Sequence, residues 1–309
     1  MHQGSPWRGG LQKRGRRLES VRAVCALILD LLFPRTCPFC GGVLPFSTPW
    51  ERARAERRVD FYVCPACAEQ LPYLLKKPLQ EEAAAAEELW LEAGVSVVAS
   101  PLCLRPICAK CGRPLSKLQA QTQAGPLCSG CRQHVRLFQR CICLFPYEDQ
   151  LRRVLAGVKY RHERQAMEAL GELAAQQFAP LLLALHPDAL VPVPVHRKRL
   201  RERGYNQAAV FCSVLAARTG IPMAEWLLRR EKNTKAQKEL GAAGRMKNLQ
   251  NAFQPGRCPA GQSVPERVLL VDDIYTTGAT LEACTETLFE AGVKEVYGLC
   301  ICGAAEQAG

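Results

Sequence analysis

Residues 268–280 read VLLVDDIYTTGAT: an apolar run that ends in two acids and passes through a Thr/Gly turn into a helical pattern. An apolar run of this length without polar alternation reads as a strand covered on both faces, as in a parallel sheet flanked by helices. At the carboxyl end of such a strand the connection opens into the crevice where α/β proteins take their ligands. Thr276, Thr277, Gly278, Ala279 and Thr280 offer hydroxyls and backbone N–H groups to a phosphate at a helix N-terminus, where the helix dipole assists. Asp272 and Asp273, directly before the turn, suit the two hydroxyls of a ribose attached to that phosphate. A Walker A loop would require Gly-Lys-Ser/Thr, which this segment lacks.

The surrounding pattern agrees with a parallel sheet. CICLFPY (141–147) reads as a strand, a basic helix follows over 151–160, and a long Ala/Leu-rich helix spans 165–185. A strand over 189–195, a helix from Asn206, a strand over 267–273, a helix over 280–292 and a strand over 295–303 complete the alternation. Strands alternating with helices predict an α/β fold with a doubly wound, mostly parallel sheet, placed in a domain over 137–309. With 48% apolar and 23% charged residues the composition is that of a globular chain. It excludes collagen, low-complexity and coiled-coil architectures.

Ahead of that domain the chain is organised by cysteine. Eight of 17 cysteines form four Cys-x-x-Cys pairs: Cys37/Cys40, Cys64/Cys67, Cys108/Cys111 and Cys128/Cys131. Two thiolates at this spacing can face one tetrahedral cation, and two pairs complete a closed shell of the structural zinc kind. The expectation is two structural Zn²⁺ ions within a Cys-rich module over 23–136, with the pairing of knuckles left open. A thioredoxin-like redox role does not suit four pairs of which none opens a βαβ helix. Cys103, Cys141 and Cys143 lie near the later pairs and read as spare ligands, whereas most of the scattered Cys25, Cys212, Cys258, Cys284, Cys300 and Cys302 read as small buried residues. Residues 1–22 carry six Lys/Arg against one Glu and read as a disordered basic leader. The apolar stretch 21–33 is broken by Asp30 and followed by Pro34-Arg35 rather than a small-residue cleavage site. It reads as an amphipathic helix, too short to span a bilayer. A cytoplasmic location, where thiols stay reduced, is expected. The acidic, Ala-rich stretch 81–94 reads as a helical spacer.

Charge points to an anionic partner. Lys and Arg total 41 against 29 acids, a net charge of +12, and two zinc ions with eight thiolates would leave about +8. Residues 196–205 hold five Lys/Arg, among them Arg197 and Arg199, against one acid, just past an apolar strand. Residues 229–247 hold seven against two, with Gly241 and Gly244 inside, a composition suited to a basic lid containing Arg245, Thr234 and Gln237. A basic run beside a sugar-phosphate site suits pyrophosphate, although the same run would also serve as a solvated helix face. His196 reads as an ordinary hydrogen-bonded histidine or as a proton donor.

The segment 268–280 resembles the phosphoribosyl-pyrophosphate (PRPP) signature of type I phosphoribosyltransferases. DALVPVPVHRKRLRERGYNQA (188–208) and TKAQKELGAAGRMKNLQNAF (234–253) resemble the ComF family of competence-associated proteins. That resemblance implies a type I phosphoribosyltransferase domain behind a Cys-rich finger, with the acids on the ribose hydroxyls and residues 276–280 on the 5′-phosphate. It implies PRPP, or a related ribose 5-phosphate ligand, bound with Mg²⁺, and transfer of the phosphoribosyl group to an acceptor that no residue pattern identifies. It also implies the alternative of a non-catalytic protein that binds single-stranded DNA beside the DNA-uptake machinery of natural transformation. Gly244, where the family usually carries an acid, and the long spacer between the knuckle pairs depart from the family pattern.

Overall fold

A computed structural model describes residues 36–45, 63–70, 107–116, 126–232, 249 and 251–305. The basic leader, the apolar stretch 21–33, the spacer 81–94, Cys103 and the lid residues Thr234, Gln237 and Arg245 lie outside the described residues. The chain forms two compact units, residues 1–70 and 71–309.

In the smaller unit, a turn at Cys37–Cys40 closed by the Thr36–Val43 bridge faces the short helix α1 (Pro65–Gln70). Among the described residues, the larger unit begins with the matching turn, closed by the Ile107–Pro114 bridge, and a short helix α2 (Ser129–Gln133). There follow strand β1 (Cys141–Pro146), helices α3 (Asp149–Tyr160) and α4 (Arg164–Ala184), and strand β2 (Ala189–Pro192). Helices α5 (Arg197–Arg203) and α6 (Gln207–Thr219) precede the hairpin β3 (Leu228–Arg230) and β4 (Phe253–Pro255). Strand β5 (Arg267–Tyr275), helix α7 (Ala279–Glu290) and strand β6 (Glu295–Gly303) end the fold.

The main sheet is parallel throughout in the order β1-β6-β5-β2. The expected α/β class is thus observed, with all four sheet strands and the four long helices where the residue pattern put them. Alternation along each strand divides the sheet into two covered faces. Cys141, Cys143, Val191, Val268, Leu270, Val296 and Cys300 share one core with α7, the hairpin and the second cysteine turn. The intervening residues Leu190, Leu269, Val271 and Leu299 are equally buried, on the face where α6 packs over β2 and β5. Helix α6 also packs along α4, and Glu172 takes a two-pronged ion pair from Arg218 at 2.7 and 2.8 Å across that contact.

The second cysteine turn is bonded directly to the edge of the sheet. Cys141 N donates to Lys110 O at 2.9 Å, and both Nε and Nη2 of Arg113 donate to Ala304 O, just past β6. Gly112, at φ +70°, lies so close to β1 that a Cβ there would meet Cys141 O at 2.5 Å. Small residues on β1 are the consequence: Cys143 donates its thiol to Cys111 O, and Cys141 lies 3.9 Å from Cys300.

Candidate phosphate site and metal centres

Both metal-type groups are assembled. The sulfurs of Cys37, Cys40, Cys64 and Cys67 lie within 4.8 Å of one another, as do those of Cys108, Cys111, Cys128 and Cys131. The knuckles therefore pair sequentially. Zinc bound at about 2.3 Å would set its tetrahedral sulfurs about 3.8 Å apart. Cys40–Cys64 at 3.6 Å and Cys111–Cys128 at 3.7 Å match that spacing. Backbone N–H groups already face sulfur, Gly42 on Cys40 at 3.3 Å and Cys128 on Cys108 at 3.3 Å. They would stabilise thiolate over thiol. Donor type, count and spacing all suit zinc in closed structural sites. Cys141 and Cys143 belong to neither group of four.

The second site is built at the carboxyl ends of β5 and β2. Continuing the alternation of β5, Asp272 follows Val268 and Leu270 toward the α7 face, whereas Asp273 follows Leu269 and Val271 toward α3 and α6. Lys159, near the end of α3, reaches Asp273 Oδ2 at 2.5 Å, and Gln207 Nε2, in the first turn of α6, donates to the same oxygen at 3.1 Å. Arg203 Nη1 donates in turn to Gln207 Oε1 at 3.1 Å, so a polar chain runs from α5 to the acid. Burial works against the Asp273 charge, but Lys159 and Gln207 outweigh it and hold the carboxyl below the usual range. Asp272 has a different environment. Burial and the neighbouring Asp273 charge push its carboxyl up to about 7, against the pull of Lys159 and Arg230. Its Oδ1 accepts from the Asp273 N–H at 2.8 Å. The adjacent acids thus have unequal protonation: one is pinned and ionised, the other poised near neutrality.

Past the acids the chain turns at Gly278, φ +84°, which caps α7. A residue with a side chain would be strained there, and its Cβ would meet the Tyr275 hydroxyl at 2.5 Å. The first N–H groups of α7 have no acceptor within the helix, as at every helix start. Thr276, Thr277 and Thr280 are half-buried around this turn.

The basic residues sort by exposure. On α5, Arg199 and Arg203, one helical turn apart, are half-buried, whereas Arg197, Lys198 and Arg201 are exposed. Arg230 acts on Asp272, and Arg199 and Arg230 sense one another's charge. Arg230 lies over the Phe253 ring at 5.2 Å. His196 caps α5, its Nδ1 accepting from Lys198 N at 3.2 Å.

Lys159, Gln207 and Arg136 were not among the residues picked out by sequence. Lys159 carries a legible signal: it continues the helical stripe Leu151, Val154, Leu155 and Val158, all buried, so it is a lysine on an inward face. Arg136 lies in an irregular segment, where no periodicity marks it.

Fold and site together define an α/β protein that presents an acid pair and a helix-capping turn at the sheet's carboxyl edge, with two four-cysteine groups of zinc type. No family model matches the chain. It is 31% identical to Competence protein F of Haemophilus influenzae over 63% of this chain and 84% of that protein. It is 27% identical to the DNA utilization protein YhgH of Escherichia coli, over 64% and 84% of the two chains. To Competence protein ComFC of Bacillus subtilis it is 28% identical, over 60% and 72%. The chain belongs to the ComF family. Among the described residues, no helix is long and apolar enough to cross a membrane.

Proposed function

We propose that the protein binds PRPP with Mg²⁺ at the turn 272–280 and transfers its 5-phosphoribosyl group to an acceptor. The observation that carries this reading is the juxtaposition at one strand end of Asp272 and Asp273 with the Gly278 turn, flanked by Lys159, Arg203 and Arg230. The turn takes the 5′-phosphate, with Thr276, Thr277, Gly278, Ala279 and Thr280 around it. Asp272 faces the ribose, while Asp273, fixed by Lys159 and Gln207, holds the strand end in register for it. Arg199 and Arg230, with the exposed Arg197 and with Arg245 of the basic run 229–247, match the pyrophosphate charge. Mg²⁺ would neutralise the leaving group and would be held by Asp272 together with the ligand's own phosphates. The two four-cysteine groups hold zinc as structural sites in a cytoplasmic protein.

The names of the relatives favour a role in the use of incoming DNA, and the exposed face of α5, with Arg197, Lys198 and Arg201, supports contact with single-stranded DNA or the uptake machinery. That face offers cations without aromatic rings, so its attraction would be electrostatic and strongly salt-dependent. Incubation of the zinc-loaded protein with PRPP, Mg²⁺ and candidate acceptors, followed by phosphorus NMR, separates the two readings. Pyrophosphate release abolished by Asp272→Asn is the expected result. Absence of pyrophosphate with every acceptor, alongside DNA binding that falls about tenfold or more between 50 and 200 mM salt, would favour the binding role.

A further inference from the structure

We propose that Arg136 is a positioning residue that links the second four-cysteine group to the phosphate turn, so that metal at Cys108, Cys111, Cys128 and Cys131 governs anion binding at residues 276–280. This inference rests on the phosphate-site reading of that turn. Arg136 leaves the knuckle five residues after Cys131 and its side chain is only 8% exposed. One end of its guanidinium lies at the knuckle: a Cβ on Gly130 would sit 3.1 Å from Nη2, and the Cys131 sulfur lies beside the group. The other end lies at the turn, where a Cβ on Gly278 would sit 3.3 Å from Nη1. Two glycines, one in each feature, therefore leave room for a single planar cation between them.

The polar atoms around that cation are incompletely satisfied. Arg136 Nε, Tyr275 OH and Glu282 Oε1 are all buried without a hydrogen-bond partner. Arg136 Nη1 stands 4.0 Å from Glu282 Oε1, while Glu282 Oε2 accepts from Leu137 N at 3.2 Å and fastens the segment to α7. Unpartnered buried polar groups are costly, and this cost at Arg136 Nε, Tyr275 and Glu282 is concentrated where the knuckle meets the turn. In the metal-loaded state the four thiolates and the cation carry a net charge of about −2, which holds one end of the guanidinium. The other end is left to fix the turn. Loss of that metal removes the fixed charge and frees Arg136 from the knuckle.

Hydrogen exchange of the full-length, zinc-loaded protein tests the link without a ligand. Arg136→Gln and Cys131→Ser should each lower protection of amides 277–282 by about tenfold while leaving β6 unchanged. Calorimetry with ribose 5-phosphate is the second readout. Each variant should weaken affinity by about tenfold, the double variant should be no weaker than either single one, and Arg136→Lys should recover most of the loss. Unchanged exchange at 277–282 in Arg136→Gln overturns the link, as do additive losses in the double variant. Absence of ribose 5-phosphate binding by the wild type, with exchange responding as expected, would refute the phosphate-site reading and leave the link standing.

Discussion

At the scale of single residues, two neighbouring aspartates carry opposite pKa shifts. Asp273 is held ionised by Lys159, and Asp272 is pushed up to about 7 by burial and by Asp273 itself. Carboxyl carbon NMR of the free protein should therefore show Asp272 titrating at about 7. In Lys159→Met that midpoint should move higher still, because a cation that lowers it is gone. The same change leaves Asp273 with one partner fewer and should cost about 3 kcal/mol in urea unfolding. The linkage signs follow from proton counts. Between the ordinary carboxyl pKa and about 7 the native state holds a proton on Asp272 that the unfolded chain has lost, so this group's contribution to stability falls as pH rises through that window. Asp273 contributes oppositely: its stabilisation is present above the unfolded pKa and is lost as pH falls through the lower folded value. The acids themselves were legible in sequence. Their division of labour was not, because it depends on which helices cover each face of β5.

At the scale of elements, the strand-turn-helix unit β5–α7 fixes the site. Gly278 is its weakest substitution point, since φ +84° and the Tyr275 hydroxyl 2.5 Å from any Cβ act together. Gly278→Ala should cost about 1–2 kcal/mol in stability from backbone strain alone and should abolish ribose 5-phosphate binding measured by calorimetry. Stability loss without loss of binding would show that the turn does not hold the phosphate. The alternation of strands and helices was readable because each strand is a continuous apolar run and each long helix keeps its period. The hairpin β3–β4 was not, since its three-residue strands are too short for a period, yet β3 supplies Arg230. Helix α5 read simply as a basic run. Only the helical turn separates Arg199 and Arg203, drawn inward, from the exposed Arg197, Lys198 and Arg201.

At the scale of the whole molecule, the two four-cysteine groups look equivalent in sequence and differ in setting. The first lies within residues 1–70, whereas Cys108, Cys111 and Cys128 share the core of the sheet. Spacing alone carries no record of that difference. It arises from Gly112, Arg113 and Lys110, whose close contacts with β1 and the end of β6 are long-range. Cys108→Ser with Cys111→Ser should reduce bound zinc from about two ions to about one and lower the melting temperature of the α/β unit. Cys37→Ser with Cys40→Ser should remove the same amount of zinc and leave that melting transition near its wild-type value. Metal analysis beside differential scanning calorimetry reads both. Calorimetric titration of PRPP with Mg²⁺ into the zinc-loaded wild type and into Asp272→Asn/Asp273→Asn tests for a phosphoribosyl site at the carboxyl edge of the sheet. Saturable binding by the wild type that disappears in the double variant is the predicted result, and a folded, zinc-replete wild type that binds no PRPP would contradict it.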